Sequence, residues 1–177
     1  MQTTSKLLMV RPARFSYNEE TAQNNYFQQK TELSDQESEQ DRIAENALRE
    51  FDAFVKLLKA NDVDLTVVQD TAEPKTPDSI FPNNCFSSHF TGDPMFAPNR
   101  RLERKPHIVN LLKRNMNHRK VVDLTFWENE GEFLEGTGSI VFDRRKKIAY
   151  CCRSPRTSEK VLADFCSRMN YQPVIFD

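Results

Sequence analysis

The order of elements in the second half of the chain repeats, and that recurrence constrains the fold more than any single motif. Cys85 to Phe90 and Pro94 to Ala97 read as a hairpin of two strands around Gly92. A helix follows around Ile108, Val109, Leu111, Leu112 and Met116, and then a strand, Lys120-Val-Val-Asp-Leu124. The order then returns. Ile140 to Phe142 and Lys147 to Cys152 read as a second hairpin around the charged turn Asp143-Arg-Arg-Lys146. Ser154-Pro155 predicts a helix start, with Ser as N-cap and Pro at the first helical position. Val161, Leu162, Phe165 and Met169 line that helix, and Gln172 to Phe176 makes the closing strand. A strand-strand-helix-strand unit at a spacing of roughly fifty residues lies in the range of radial and solenoid repeats. In a radial array the loops leading into equivalent strands converge on one centre. Here those loops are Asp78 to Asn84 and Glu130 to Gly138.

The first half is simpler. Leu7-Leu8-Met9-Val10 reads as a strand stopped by Arg11-Pro12, and the polar stretch from Tyr17 to Gln29 as a long loop. From Ser34 the acidic residues Asp35, Glu37 and Glu39 suit a helix N-terminus. Ile43, Ala47, Phe51, Phe54, Val55 and Leu58 give that helix one apolar face, ending near Asn61. Val63 to Val68 reads as a strand. Pro74, Pro77 and Pro82 then rule out helix and force extended or turn backbone up to Asn84.

Three of the four glycines fall in Gly131-Glu-Phe-Leu-Glu-Gly-Thr-Gly138, around the carboxylate of Glu135. Glycine lets backbone approach another segment closely, so the cluster reads as a loop that holds Glu135 in a tight place. A tight turn with a solvated acid is the alternative; the position of the cluster in a converging loop favours the functional reading. The third glycine and following helix of a dinucleotide fingerprint are missing.

Lys plus Arg (25) nearly balance Asp plus Glu (26), which removes any long-range field toward nucleic acid or an acidic membrane. No apolar run reaches the length of a membrane span, and the N-terminus lacks a signal-peptide core. Cys85, Cys151, Cys152 and Cys166 show neither metal-ligand spacing nor a disulfide framework, so reduced thiols in a cytoplasmic protein are expected.

Several runs together resemble the guanidine-modifying (pentein) superfamily. They are Met9-Val-Arg-Pro12, Thr76-Pro-Asp-Ser-Ile-Phe-Pro-Asn-Asn84, Met95-Phe-Ala-Pro-Asn-Arg-Arg101, Phe133-Leu-Glu-Gly-Thr-Gly138 and Tyr150-Cys-Cys-Arg-Ser-Pro-Arg-Thr157. The superfamily includes arginine deiminases, dimethylarginine hydrolases and amidinotransferases, and this chain is most similar to its bacterial citrulline-utilisation hydrolases. The resemblance implies an α/β-propeller of strand-strand-helix-strand blades around a substrate pocket, with residues 1–177 as a single domain forming an incomplete ring. It implies a cysteine nucleophile assisted by a histidine, acidic residues gripping nitrogens, an amino-acid substrate and no cofactor or metal. Glu135 matches the family's glutamate beside the nucleophile, and Asn84 stands where arginine-processing members carry an aspartate. Asp78 shares the pocket-facing loop, and Arg100 or Arg101 lies where some relatives bind the substrate carboxylate; Arg101 is taken as the substrate-binding candidate. The family's histidine and cysteine fall beyond Asp177.

No Cys-His pair inside the chain replaces them. Cys85 and His89 on one strand would lie about 13 Å apart at roughly 3.3 Å per residue. Cys166 reads as core, and His107 and His118 bracket a helix. The expectation is therefore the N-terminal portion of a hydrolase on a ureido or guanidino group, citrulline first. A non-catalytic binding module, or deiminase or amidinotransferase activity in a longer parent, is the alternative. The apolar strand Val174-Ile-Phe176 leaves an open sheet edge, from which self-association is expected.

Overall fold

A computed structural model describes residue 4, residues 6–23, residues 25, 28 and 30, and residues 37–87, 91–115 and 122–177. They group into two compact units, Thr4–Pro82 and Asn83–Asp177.

The N-terminal unit is a strand-helix-strand arrangement. Strand β1 (Lys6–Arg11) pairs in parallel with β2 (Asp64–Gln69), in register from Lys6↔Asp64 to Arg11↔Gln69. Parallel neighbours need a crossover, here the long helix α2 (Glu37–Ala60). Glu37 and Glu39 stand at its positive end and Lys59 at its negative end, which complements the helix dipole. Asp62, at φ 59, ends it by a left-handed turn, with Val63 N–H donating to Leu58 C=O. Arg11 clamps strand to helix: its Nε and Nη2 donate to the two Asp52 oxygens at 2.7 and 2.8 Å. The polar stretch expected to be loop contains a short helix, α1 (Glu19–Ala22), because Asn18 Oδ1 caps the Glu20 N–H at 3.2 Å.

The C-terminal unit carries the recurrence. Strands β3 (Phe86–Ser87) and β4 (Thr91–Gly92) pair antiparallel, and β5 (Val122–Asp123) adds parallel to β4. Between them lie the short α3 (Pro98–Arg101) and α4 (Pro106–Asn115). After a 3₁₀ turn (Thr125–Glu130) and the single-turn α5 (Gly136–Ser139), β6 (Ile140–Asp143) and β7 (Ile148–Cys152) pair antiparallel. Helix α6 (Glu159–Met169) then returns the chain to β8 (Gln172–Phe176), parallel to β7. Both sheets thus have the strand order 1-2-3, with the helix inserted before the parallel third strand.

Two boundaries differ from expectation. Gly92 lies in β4 rather than in a turn, and Pro94 to Ala97 is not a strand. β4 already has a partner on each side, and Pro94 brings no N–H to a ladder. Helix α6 starts at Glu159, not at Ser154-Pro155. Ser154 instead closes a turn, accepting the Thr157 N–H at 2.9 Å, and Ser158 takes the N-cap position. Lys120 and Val121 of the expected strand, and Met116, lie outside the described residues.

The core of this unit sits between the β6-β7-β8 sheet and α6. Ile140, Phe142, Ala149 and Cys151 face Val161, Leu162, Phe165 and Cys166, with Leu124 and Leu134 buried beside them. Phe142, Phe165 and Tyr171 pack as a ring cluster with centroids 5.2–6.3 Å apart. Trp127 packs against this core and donates Nε1–H to Asp164 at 3.0 Å. The described residues form no closed propeller.

Candidate functional site

Glu135 is set in place from both sides along the chain. Before it, Leu134 is fully buried, donates its N–H to Pro94 C=O at 3.0 Å, and bridges to Thr157. After it, Gly136 turns at φ +32, and a Cβ there would lie 2.3 Å from the Asn83 carbonyl oxygen and 2.9 Å from that of Asn84. Only glycine fits that approach. A Cβ at Gly138 would stand 3.2 Å from Asn84 Oδ1. The glycine cluster therefore presses the Glu135 loop against the Asn83–Asn84 backbone. Two candidates far apart in sequence, Asn84 and Glu135, come together in one unit this way.

The Glu135 carboxyl is 1% exposed. Oε1 accepts the Phe96 N–H at 3.1 Å, and Oε2 lies 3.5 Å from Arg156 Nη1. A buried carboxyl group needs such hydrogen-bonding partners. Ser139 ties them together: its Oγ accepts the Glu135 N–H at 3.0 Å and donates to Arg156 C=O at 2.8 Å. Asn84 is half-buried; its Oδ1 accepts from Asn83 Nδ2 at 2.9 Å, and the same Asn83 group reaches Thr137 Oγ1 at 2.7 Å.

Asp78 belongs to the N-terminal unit and is equally buried, but its carboxylate is filled by its own unit. Oδ2 accepts from Asn18 Nδ2 at 2.7 Å and Thr21 Oγ1 at 3.1 Å, and Oδ1 from Gln28 Nε2 at 2.9 Å. Arg100 is buried in a two-pronged pair with Glu103, at 2.9 and 3.0 Å. Arg101 is partly exposed; Nε donates to Met95 C=O at 2.9 Å and Nη2 to Phe96 C=O at 3.2 Å.

Arg156, Ser139 and the Phe96 amide escaped the sequence reading. Arg156 lies inside the Tyr150–Thr157 run, but reading Ser154-Pro155 as a helix start assigned it to a helix. A cleft of about 510 Å³ opens beside this segment, lined among others by Glu132, Arg153, Ser158 and Lys160. Hydrogen bonds from Lys160 and Ser158 hold the Glu132 carboxyl below the usual range.

The three buried cysteines are poor nucleophiles. Burial, reinforced by the charge of Glu103, pushes the Cys85 thiol well above its ordinary value. Burial pushes Cys151 up to about 12 and Cys166 up to about 11. Cys152 is exposed at the end of β7, and His107 is exposed on α4. His89 and His118 lie outside the described residues. Among the described residues no helix is long and apolar enough to cross a membrane.

The sheets β3-β4-β5 and β6-β7-β8 share one strand-strand-helix-strand order, and the buried Glu135 lies on the loop leading into the second. The family model for N,N dimethylarginine dimethylhydrolase, eukaryotic, matches residues 11–177, and the chain belongs to that family. Its fold is similar to the N-terminal domain of ArgZ, an arginine dihydrolase from the ornithine-ammonia cycle in Cyanobacteria. That match has TM-score 0.64 at 16% identity, over 96% of this chain and 56% of that one. It is also similar to the dimethylarginine dimethylaminohydrolase of Pseudomonas aeruginosa in complex with citrulline, with TM-score 0.63 at 17% identity, over 97% and 61% of the two chains. The chain thus spans less than two thirds of the structures it matches. No curated protein matches its sequence.

Proposed function

We propose that this chain supplies the nitrogen-gripping part of a hydrolase acting on the ureido or guanidino group of an amino acid, with citrulline the preferred substrate. The observation that carries the reading is the buried Glu135 carboxylate, which has one oxygen held by an amide and the other only loosely by Arg156. A carboxylate so placed can exchange Arg156 for a substrate N–H. In this reading the nucleophilic cysteine and its histidine lie outside these 177 residues. The thiolate adds to the central carbon, Glu135 holds a substrate nitrogen and helps move its proton, and ammonia leaves. Water then releases the remainder: citrulline and one water give ornithine, carbon dioxide and ammonia. The chain alone does not turn substrate over.

Asn84 supports the choice of a neutral substrate. A guanidinium is cationic and offers only donors, so its buried partner should be an anionic acceptor. A ureido group has a carbonyl as well as N–H groups, and an asparagine that both donates and accepts matches it. A second reading, methylated arginine, is favoured by the family model. Arg101 belongs in either case to the framework around the site.

Titration of L-citrulline, L-arginine and dimethylated L-arginine into the isotope-labelled chain separates the two. Citrulline is expected to shift the Phe96, Gly136 and Gly138 amides at the lowest concentration, with Asn84→Asp moving the preference to the cations. Stronger binding of either cation to the unaltered chain would overturn the citrulline reading. No response of these amides to any of the three would overturn the site itself.

A further inference from the structure

The segment Asp93 to Phe96 has no regular hydrogen-bonding ladder, yet its backbone groups are held one after another. Asp93 C=O accepts from Arg104 Nη1 at 3.3 Å, and Pro94 C=O from the Leu134 N–H at 3.0 Å. Met95 N–H donates to Glu128 Oε1 at 2.8 Å, while Met95 C=O accepts from Arg101 Nε at 2.9 Å. Phe96 N–H donates to Glu135, and Phe96 C=O accepts from Arg101 Nη2 at 3.2 Å. The other Glu128 oxygen is taken by Arg104 Nη2 at 2.8 Å. This turn is built by charged side chains, and Glu135 is one of them.

Arg101 touches the peptide whose N–H Glu135 accepts, and the peptide after it. Its fork spans the carbonyls of Met95 and Phe96, on the far side of the amide that Glu135 accepts. Its guanidinium also lies over the Phe133 ring, 5.5 Å from the centroid, and that ring meets Phe96 edge-on at 5.2 Å. Phe133 stands two residues before Glu135. The guanidinium therefore fixes the Phe96 peptide plane and the approach of the Glu135 loop together. Lysine would keep the charge but could neither span two carbonyls with a planar fork nor stack in the same way.

We infer that Arg101 is a positioning residue for Glu135, acting through the Phe96 amide, rather than an arm that reaches for a substrate carboxylate. The importance of this for ligand rests on the proposed function, but the contact exists without ligand and is tested without it. Failure of the site reading, seen in the ligand titration, is thus separate from failure of this one.

The experiment follows the Phe96 amide shift of the ligand-free chain and its response to Glu135→Gln, which replaces the charged acceptor by a neutral one. With Arg101 in place the response should be large. In the Arg101→Met background it should be lost, while the amides of β6, β7 and β8 keep their positions and report an intact fold. Arg101→Lys, the milder change, should also lose most of it, and decides the matter if Arg101→Met does not fold. A full Phe96 response in either folded background would overturn the inference. So would a Phe96 amide that ignores Glu135→Gln with Arg101 in place. A substrate-binding arm predicts the opposite pattern: an unchanged Phe96 response and a lost response to L-citrulline.

Discussion

Two carboxylates, Asp78 and Glu135, are buried to the same degree in the two units, at 2% and 1% exposure, yet their surroundings differ in kind. Asp78 receives Asn18 and Thr21 on one oxygen and Gln28 on the other, at 2.7 to 3.1 Å. Glu135 receives one amide at 3.1 Å and a half-exposed arginine at 3.5 Å. The first arrangement binds a loop of its own unit. The second leaves an oxygen whose partner can be replaced. Burial alone, therefore, does not separate the two acids; the strength and exchangeability of their partners do.

The largest expected effect comes from taking away the close approach that places Glu135. Gly136→Ala would set a methyl group against the Asn83 carbonyl at 2.3 Å, on a backbone at φ +32. Overpacking and strain together should destabilise the C-terminal unit by about 4 kcal/mol. Denaturant unfolding measures this, and a loss under about 1 kcal/mol would show that the Asn83–Asn84 turn yields freely.

The same isosteric change at the two acids should then separate them. Asp78→Asn turns one accepting oxygen into a donor facing Asn18 and Thr21, or Gln28, and should cost about 3 kcal/mol. Glu135→Gln keeps an oxygen for the Phe96 amide and removes a buried charge, so its cost should be about 1 kcal/mol or less. Its ligand response, in contrast, should vanish. Equal losses in unfolding experiments on the two variants would erase the distinction.

The recurrence of strands and helices was legible because β6, β7 and β8 are short, mostly apolar runs, while α6 gathers Val161, Leu162, Phe165 and Cys166 on one face at helical spacing. The first sheet was read less well. Its strands β3 and β4 are two residues each and carry almost no period, so Gly92 looked like a turn. Glu135 was legible through its glycines, since steric need leaves a mark in composition. Asn84 and Asp78 were visible only through resemblance. Arg156, Ser139 and the Phe96 amide were not visible, because their roles arise from contacts between a loop and segments distant in sequence. Nothing in the residue type of Ser139 says that its hydroxyl will join the Glu135 N–H to the Arg156 carbonyl.

The smallest expected effect is also the sharpest test of the comparison: the coupling between Glu135 and Arg156. The two are 3.5 Å apart, and the arginine side chain is 30% exposed, so water competes for its charge. Arg100 and Glu103 offer the contrast within the same unit, with side chains 5% and 3% exposed and two short hydrogen bonds between them. A double-mutant cycle with Glu135→Gln and Arg156→Met should give a coupling of about 0.5 kcal/mol. The corresponding cycle on Arg100 and Glu103 should exceed about 2 kcal/mol, because each partner removed leaves a buried charge behind. A weak coupling at Glu135 means that Arg156 is displaced at little expense when a ligand nitrogen arrives. A coupling as large as that of the Arg100 pair would show that Glu135, like Asp78, has both oxygens firmly held within its own unit, and would remove the main support for reading it as the group that holds substrate.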